Sequence, residues 1–235
     1  MNTLALSMDK GNIHIVIPVY NHGEKLGEVV QSLTSEGYKN IILVNDGSEN
    51  AQFPACLPPG ITYIEHRVNL GQGAALQTGF TQALKDGAGI IVSFDADGQH
   101  IASDLEILIS PLITGEADVT LGSRFLAAYQ NPMPPVKIIL LKTARLINYL
   151  FTGMMLSDAH NGLRAMNKQA VEKIRITENR MAHATEILFE IKKYGLVVKE
   201  VPVKVRYTDY SRSHGQSPWN SIKIFFDILF YKLFA

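Results

Sequence analysis

The sequence predicts an α/β fold: a mixed, mainly parallel sheet flanked by helices, with an apolar helix at the C-terminal end. Three observations carry this. Short β-branched runs alternate with stretches of helical periodicity, the connections between them are short, and polar clusters recur just past the strand ends. Such alternation means right-handed crossovers and parallel strands. Ligands of open α/β sheets bind beyond the carboxyl ends of the strands, so the polar clusters converge on one candidate edge.

Each element follows from its residues. "IHIVIPVY" (13–20) is a β-branched run stopped by Pro18, and "EKLGEVVQSLTSEGY" (24–38) has helical spacing with Gly37 as a stop. "KNIILVNDGS" (39–48) is a strand ending in Asp-Gly-Ser turn chemistry, and "ITYIEHR" (61–67) is a third strand. "GQGAALQTGFTQALKDG" (71–87) reads as a glycine-opened helix and "GIIVSFDAD" (89–97) as a fourth strand. "ASDLEILISPLITGEADVTLGSRF" (102–125) gives a helix opened by Ser103 or Asp104, then a strand ending at Gly122-Ser123-Arg124. A loop (126–135) and an apolar helix bearing Lys137, Lys142 and Arg145 (136–151) follow. Residues 157–174 read as polar and then helical, 184–195 as an amphipathic helix, 196–207 as a strand and 208–220 as a polar loop. The last helix, 221–235, carries Ile222, Phe225, Phe226, Leu229, Phe230 and Leu233 in one stripe, widened by Ile224, Ile228 and Phe234. Such a helix docks on the core, on a partner or in a membrane interface.

Composition narrows the function. The chain has 235 residues, 46% of them apolar, enough for one large domain or a domain with an appendage. Lys+Arg and Asp+Glu are 22 each, which argues against electrostatic capture of nucleic acid. The single cysteine, Cys56, excludes an intrachain disulfide, fits a reducing compartment and reads as a small buried hydrophobe. No signal peptide and no run of about 20 apolar residues is evident. The expectation is a cytoplasmic protein, peripheral at the inner face of the cytoplasmic membrane.

The densest motif is "GIIVSFDADGQH" (89–100), which ends an apolar run on two aspartates separated by Ala96. Like charges this close raise each other's pKa unless a cation sits between them. A calcium loop would match Asp95, Asp97 and Glu106, but it needs glycine where His100 stands and a helix where a strand stands. A phosphatase-type nucleophile needs a lysine and further acids that have no evident place. A turn in which Asp95 or Asp97 caps the next helix is the plain alternative. A divalent ion bridging to a diphosphate is the fourth, because Mg²⁺ takes few protein oxygens and the rest from phosphate and water.

Company favours the fourth. "PVYN", "VNDGS", "NLGQGAALQTGF" and "FDADGQH" occur in that order, followed by "GSRF", "SDAHNGLRA" and "RSHGQS". Together they resemble the family-2 glycosyltransferases of Rossmann-like GT-A fold, and within them the dolichyl-phosphate and polyprenyl-phosphate sugar synthases. The resemblance implies a catalytic domain over 12–220, with 221–235 as the appended helix. It implies that Pro18, Tyr20 and Asp46 hold the nucleotide base and ribose, with Asn21 and Ala96 on the same donor side. Gly71 and Gly73 would let the backbone approach the donor. Asp95, Asp97 and Gln99 would surround Mg²⁺ or Mn²⁺, with Asp97 and Gln99 the direct ligands. Three positions depart from the pattern: His22 stands where many relatives have Glu, Gln72 where they have Lys, and Pro218 where synthases often have Lys.

The implied reaction is inverting transfer of a sugar from a UDP or GDP sugar. A lipid-phosphate acceptor is already an anion and needs cationic positioning, for which Arg124, Arg164 and Arg212 are suited. A saccharide hydroxyl, as in cell-surface polysaccharide assembly, needs a base, for which Asp158 leads over His160 and Glu186. Asp97, Asp158 and the three arginines are thus the expected catalytic set. His100, His183 and Trp219 read as structure. Expected partners are the nucleotide sugar, a lipid-linked acceptor, the membrane surface, and a second copy of the chain or a membrane protein. A nicotinamide enzyme is disfavoured because "GQGAAL" follows the third strand rather than the first. A nucleotidyltransferase would need a basic glycine loop near the N-terminus. A non-catalytic nucleotide-sugar sensor would lose the arginines.

Overall fold

The computed structural model describes residues 9–21, 23–49, 58–126, 145–146, 149, 152–158, 161–180 and 182–206. Cys56, His160, Arg212, Trp219, the 126–135 loop beyond Phe125 and Leu126, most of the 136–151 helix and all of the 221–235 helix lie outside that set.

In chain order the elements are β1 (Ile13–Val19), α1 (Gly23–Ser35), β2 (Asn40–Asn45), β3 (Ile61–Glu65), α2 (Gln72–Lys85), β4 (Ile90–Ser93) and α3 (Leu105–Ile113). They continue with β5 (Val119–Ser123), β6 (Arg164–Asn167), α4 (Lys168–Lys173), α5 (His183–Lys193) and β7 (Val198–Pro202). The strands form one sheet in the order β3-β2-β1-β4-β6-β5-β7. β6 runs antiparallel to both β4 and β5, and the other pairs are parallel. The expected mixed, mainly parallel sheet is what forms.

Period-2 alternation along β1 divides the core. Ile13, Ile15, Ile17 and Val19 join Leu26 and Leu33 of α1 and Leu105 and Leu108 of α3 on one face. Val16 joins Leu76 and Phe80 of α2 and Ile187 and Leu188 of α5 on the other. Each such fully buried side chain stabilises by about 1.5–3 kcal/mol, so both faces of the central strands are closed to water.

Several elements differ from expectation, each for a tertiary reason. Residues 164–167, expected to lead into a helix, are a strand because Arg164 and Ala165 pair with Ser93 and Val92 on one side and with Leu121 and Thr120 on the other. Asp104 stands at the N-cap position of α3, as expected, but its side chain makes no capping bond. Its carboxylate instead accepts from the Lys204 N–H at 2.6 Å, and a short 3₁₀ turn over Ala102–Asp104 opens the helix. β4 stops at Ser93, so Asp95 and Asp97 stand in the turn beyond it. Among the described residues no helix is long and apolar enough to cross a membrane.

Candidate active site

The carboxyl ends of β1, β2, β4 and β5 bring the polar clusters to one edge. Past β1, Tyr20 is 42% exposed. Asn21 adopts φ 53°, a left-handed conformation that asparagine tolerates, and its N–H donates to Ser48 Oγ at 3.0 Å. Past β2, Asp46 is 2% exposed and engaged. Its Oδ1 accepts from His66 Nδ1 at 2.8 Å and Leu70 N–H at 2.9 Å, and its Oδ2 accepts from Gly71 N–H at 2.6 Å. A carboxylate in that position ties the 66–71 loop to the strand that carries the site.

Gly71 and Gly73 were expected to let backbone approach a donor. Their close neighbour is instead the protein's own segment before α5. A Cβ at Gly71 would lie 2.2 Å from the Asn179 carbonyl oxygen, and one at Gly73 would lie 2.0 Å from that of Glu178. The Asn179 carbonyl accepts the N–H groups of Gly73 (2.8 Å) and Ala74 (3.3 Å). The α2 N-terminus is therefore capped by chain, and a pyrophosphate cannot sit there as in a dinucleotide fold. Glu186 holds the same segment by accepting from the N–H groups of Thr177 and Glu178 and from the Thr177 hydroxyl.

The Asp95–Gln99 turn is asymmetric. Asp95 accepts from His100 Nε2 at 3.0 Å and from Gln72 Nε2 at 3.2 Å. A Cβ on Gly162 would lie 2.4 Å from Asp95 Oδ2, so only glycine admits that approach. Burial works to raise the pKa of Asp95, but the His100 bond and the charges of His100, His183 and Arg164 outweigh it and hold the carboxyl below its usual value. Asp97 goes the other way. Burial and then the negative charge of Asp95 raise its pKa, against hydrogen bonds from the Gln99 N–H (2.9 Å) and Nε2 (2.6 Å). A carboxylate poised above its usual value beside a second carboxylate fits a divalent cation, which would reverse the balance. Among the described residues no group of three or more His, Cys, Asp or Glu could hold a metal ion. The fit is therefore to an ion taking Asp97, the Gln99 amide oxygen and otherwise non-protein oxygens.

Just past the end of β5, Arg124 forms a fork-to-fork pair with Asp158. Nε reaches Oδ2 at 2.6 Å, Nη2 reaches Oδ1 at 2.7 Å, and the Arg124 N–H adds a third bond to Oδ2 at 3.0 Å. Arg164, expected to meet an acceptor phosphate, is 3% exposed instead. Its Nε donates to the Asn161 carbonyl and its Nη1 to that of Ala184, and burial pushes its pKa down to about 10. It binds the 161–162 turn to the start of α5, so an acceptor role would require it to leave the core. Sequence reasoning passed over Glu200 altogether, although it anchors Ser157 and Asp158 from β7. The available signal was an acid in the apolar run "LVVKEVPV". Beyond β7, Arg206 N–H donates to the Gln99 carbonyl at 2.8 Å and Val205 bridges His100, so residues 205 and 206 lie against the Asp95–Gln99 turn.

The family model described as "Glycosyl transferase family 2" matches residues 14–175. The chain belongs to this family. This family 2 glycosyltransferase is 36% identical over 236 residues to an uncharacterized protein of Methanocaldococcus jannaschii, covering 99% of this chain and 97% of that one. It is 32% identical over 245 residues to the UDP-N-acetylglucosamine–dolichyl-phosphate N-acetylglucosaminyltransferase of Methanococcus voltae, covering 94% and 96%. Among solved structures it is similar to glucosyl-3-phosphoglycerate synthase of Mycobacterium tuberculosis in complex with Mn²⁺, UDP-glucose and phosphoglyceric acid. The TM-score is 0.65 at 14% identity, over 92% of this chain and 79% of that one. That likeness shows the fold, the GT-A arrangement of a family 2 glycosyltransferase.

Proposed function

We propose that this family 2 glycosyltransferase transfers a sugar from a UDP or GDP sugar, with inversion, to a polyprenyl phosphate or related lipid-linked phosphate. The observation that carries the choice of acceptor is the state of Asp158. Both its oxygens are taken by Arg124, so the carboxylate best placed to deprotonate a sugar hydroxyl is not offered as a base. Glu186 is likewise engaged, by the segment at Thr177 and Glu178. A phosphate acceptor is already anionic and needs no base. The dolichyl-phosphate acceptor named for the Methanococcus voltae relative supports the same reading.

In this reading Pro18, Tyr20 and Asn21 border the nucleotide, and Asp46 shapes the loop beside it. Asp97 and Gln99 hold Mg²⁺ or Mn²⁺. The chemistry such an ion supplies is Lewis-acid stabilisation of charge on the leaving diphosphate, a contribution of several kcal/mol. Asp95, fixed by His100 and Gln72, keeps the turn in place. Arg124, held in plane by Asp158, and Arg212 orient the acceptor phosphate. Residues 12–220 form the catalytic domain, and 221–235 bring it to the cytoplasmic face of the membrane.

The test is incubation with a panel of nucleotide sugars and Mg²⁺ or Mn²⁺, with and without polyprenyl phosphate, scoring lipid-extractable sugar. Sugar should enter the lipid fraction only when polyprenyl phosphate is present. Transfer to an oligosaccharide, with none to the lipid, would replace this reading with the hydroxyl acceptor.

A further inference from the structure

Two segments that are distant in sequence meet at Arg124, and one carboxylate stands behind both. Glu200 lies in β7, opposite Leu121 of β5 in the sheet register. Both its oxygens accept the Ser157 N–H at 2.8 Å, and its Oε1 also accepts the Ser157 hydroxyl at 2.8 Å and the Asp158 N–H at 2.9 Å. With its proton donated to Glu200, Ser157 Oγ accepts the Ser123 hydroxyl at 2.6 Å, and Ser123 Oγ accepts the Phe125 N–H at 3.1 Å. The bonds therefore run one way, from Phe125 N–H through Ser123 and Ser157 to the carboxylate.

This chain fixes the residue on either side of Arg124 and, separately, the backbone of Asp158. We propose that Glu200 is the positioning residue of the acceptor side, setting the Arg124–Asp158 fork through Ser123 and Ser157. A carboxylate is the group that does this, since it offers acceptors only and can take the N–H and O–H groups converging on it. Its link to the acceptor rests on the reading of Arg124 given above, whereas its hold on Arg124 does not.

The experiment separates the two. In ¹⁵N-labelled full-length protein, the Arg124 Nε–H resonance is assigned by its disappearance in Arg124→Lys, and its exchange with water is followed in Glu200→Ala and Glu200→Gln. UDP titration with Mn²⁺ and thermal unfolding serve as controls. Glu200→Ala should speed Arg124 Nε–H exchange by roughly tenfold or more and leave UDP affinity unchanged. Glu200→Gln, whose amide oxygen can replace Oε1, should recover most of the protection. An Arg124 signal unaltered in a folded Glu200→Ala protein overturns the proposal, as does a parallel loss of UDP affinity, which would mark general loosening. In Glu200→Ala the KM for polyprenyl phosphate should rise roughly tenfold to hundredfold, and in Glu200→Gln it should stay close to that of the unaltered enzyme. If Arg124 loosens while that KM stays constant, Glu200 still positions Arg124, and the assignment of Arg124 to the acceptor fails instead. Should Glu200→Ala fail to fold, Ser157→Ala cuts the hydroxyl chain alone and must show the same exchange change in smaller measure.

Discussion

Arg124 meets Asp158 through two parallel bonds of 2.6 and 2.7 Å, and the Asp158 side chain is 1% exposed. The pair turns a candidate base into a brace. Asp158→Asn should therefore lower turnover with polyprenyl phosphate by about tenfold, through imperfect placement of Arg124, rather than by the 10²–10⁴ typical of a lost general base. Steady-state kinetics decide, and a loss beyond a thousandfold with an intact Tm would restore Asp158 as a base. Asp158→Ala leaves Arg124 facing a gap and should lower stability by about 3–5 kcal/mol, read by denaturant unfolding.

Asp97 carries the raised carboxyl of the turn, where burial and the charge of Asp95 outweigh the Gln99 hydrogen bonds and the charge of His100. Asp97→Ala should reduce turnover at least about a hundredfold, or roughly 2.7 kcal/mol. EDTA should abolish activity, and Mn²⁺ or Mg²⁺ should restore it. Full turnover in EDTA would refute a metal at this position.

Asp46 accepts from His66, Leu70 and Gly71 just past the end of β2. Asp46→Ala leaves buried N–H groups without an acceptor, each costing about 1–3 kcal/mol. A fall in Tm should accompany a loss of nucleotide affinity larger than the loss in kcat. Unchanged affinity by calorimetry would make Asp46 a turn residue without bearing on the donor.

His183 is 6% exposed, and burial pulls its pKa from 6.5 to about 4. Its Nδ1 donates to the Arg180 carbonyl at 2.6 Å, a bond that works to raise the pKa but does not outweigh burial, so the neutral ring is favoured. Between those two values the unfolded chain binds a proton that the folded chain does not, so stability rises with pH across this window. As pH falls from 6.5 to 4 the folded state should lose up to about 3 kcal/mol from this residue. His183→Gln should flatten that part of the stability profile. A profile of unchanged slope would show that the ring is protonated in place.

Strands with their own apolar signal were legible. β1, β2 and β4 are buried on both faces and read as continuous runs, and the positions of Asp46, Asp95 and Asp97 just beyond strand ends followed from that. β6 was not legible. "RAMN" has no pattern of its own, and it is a strand only because β4 and β5 present unpaired backbone on either side of it. Gly71 and Gly73 were expected to bring backbone close to a donor, and the close neighbours the fold places at them are Asn179 and Glu178, over a hundred residues away in sequence.

The sequence by itself determined the alternating α/β order, the edge at which the polar residues gather and the family that order resembles. Those features depend on periodicity and on strand ends, which are local. The tertiary structure alone decided which polar groups remain available to a ligand and which are engaged with one another. Arg164 and Asp158 carry the same formal charges in any conformation. Only the fold buries Arg164 against the Asn161 and Ala184 carbonyls, closes Arg124 on Asp158 and brings Glu200 from β7 behind both. Hydrogen-bond partners are set by distance in space, and no spacing along the chain encodes it.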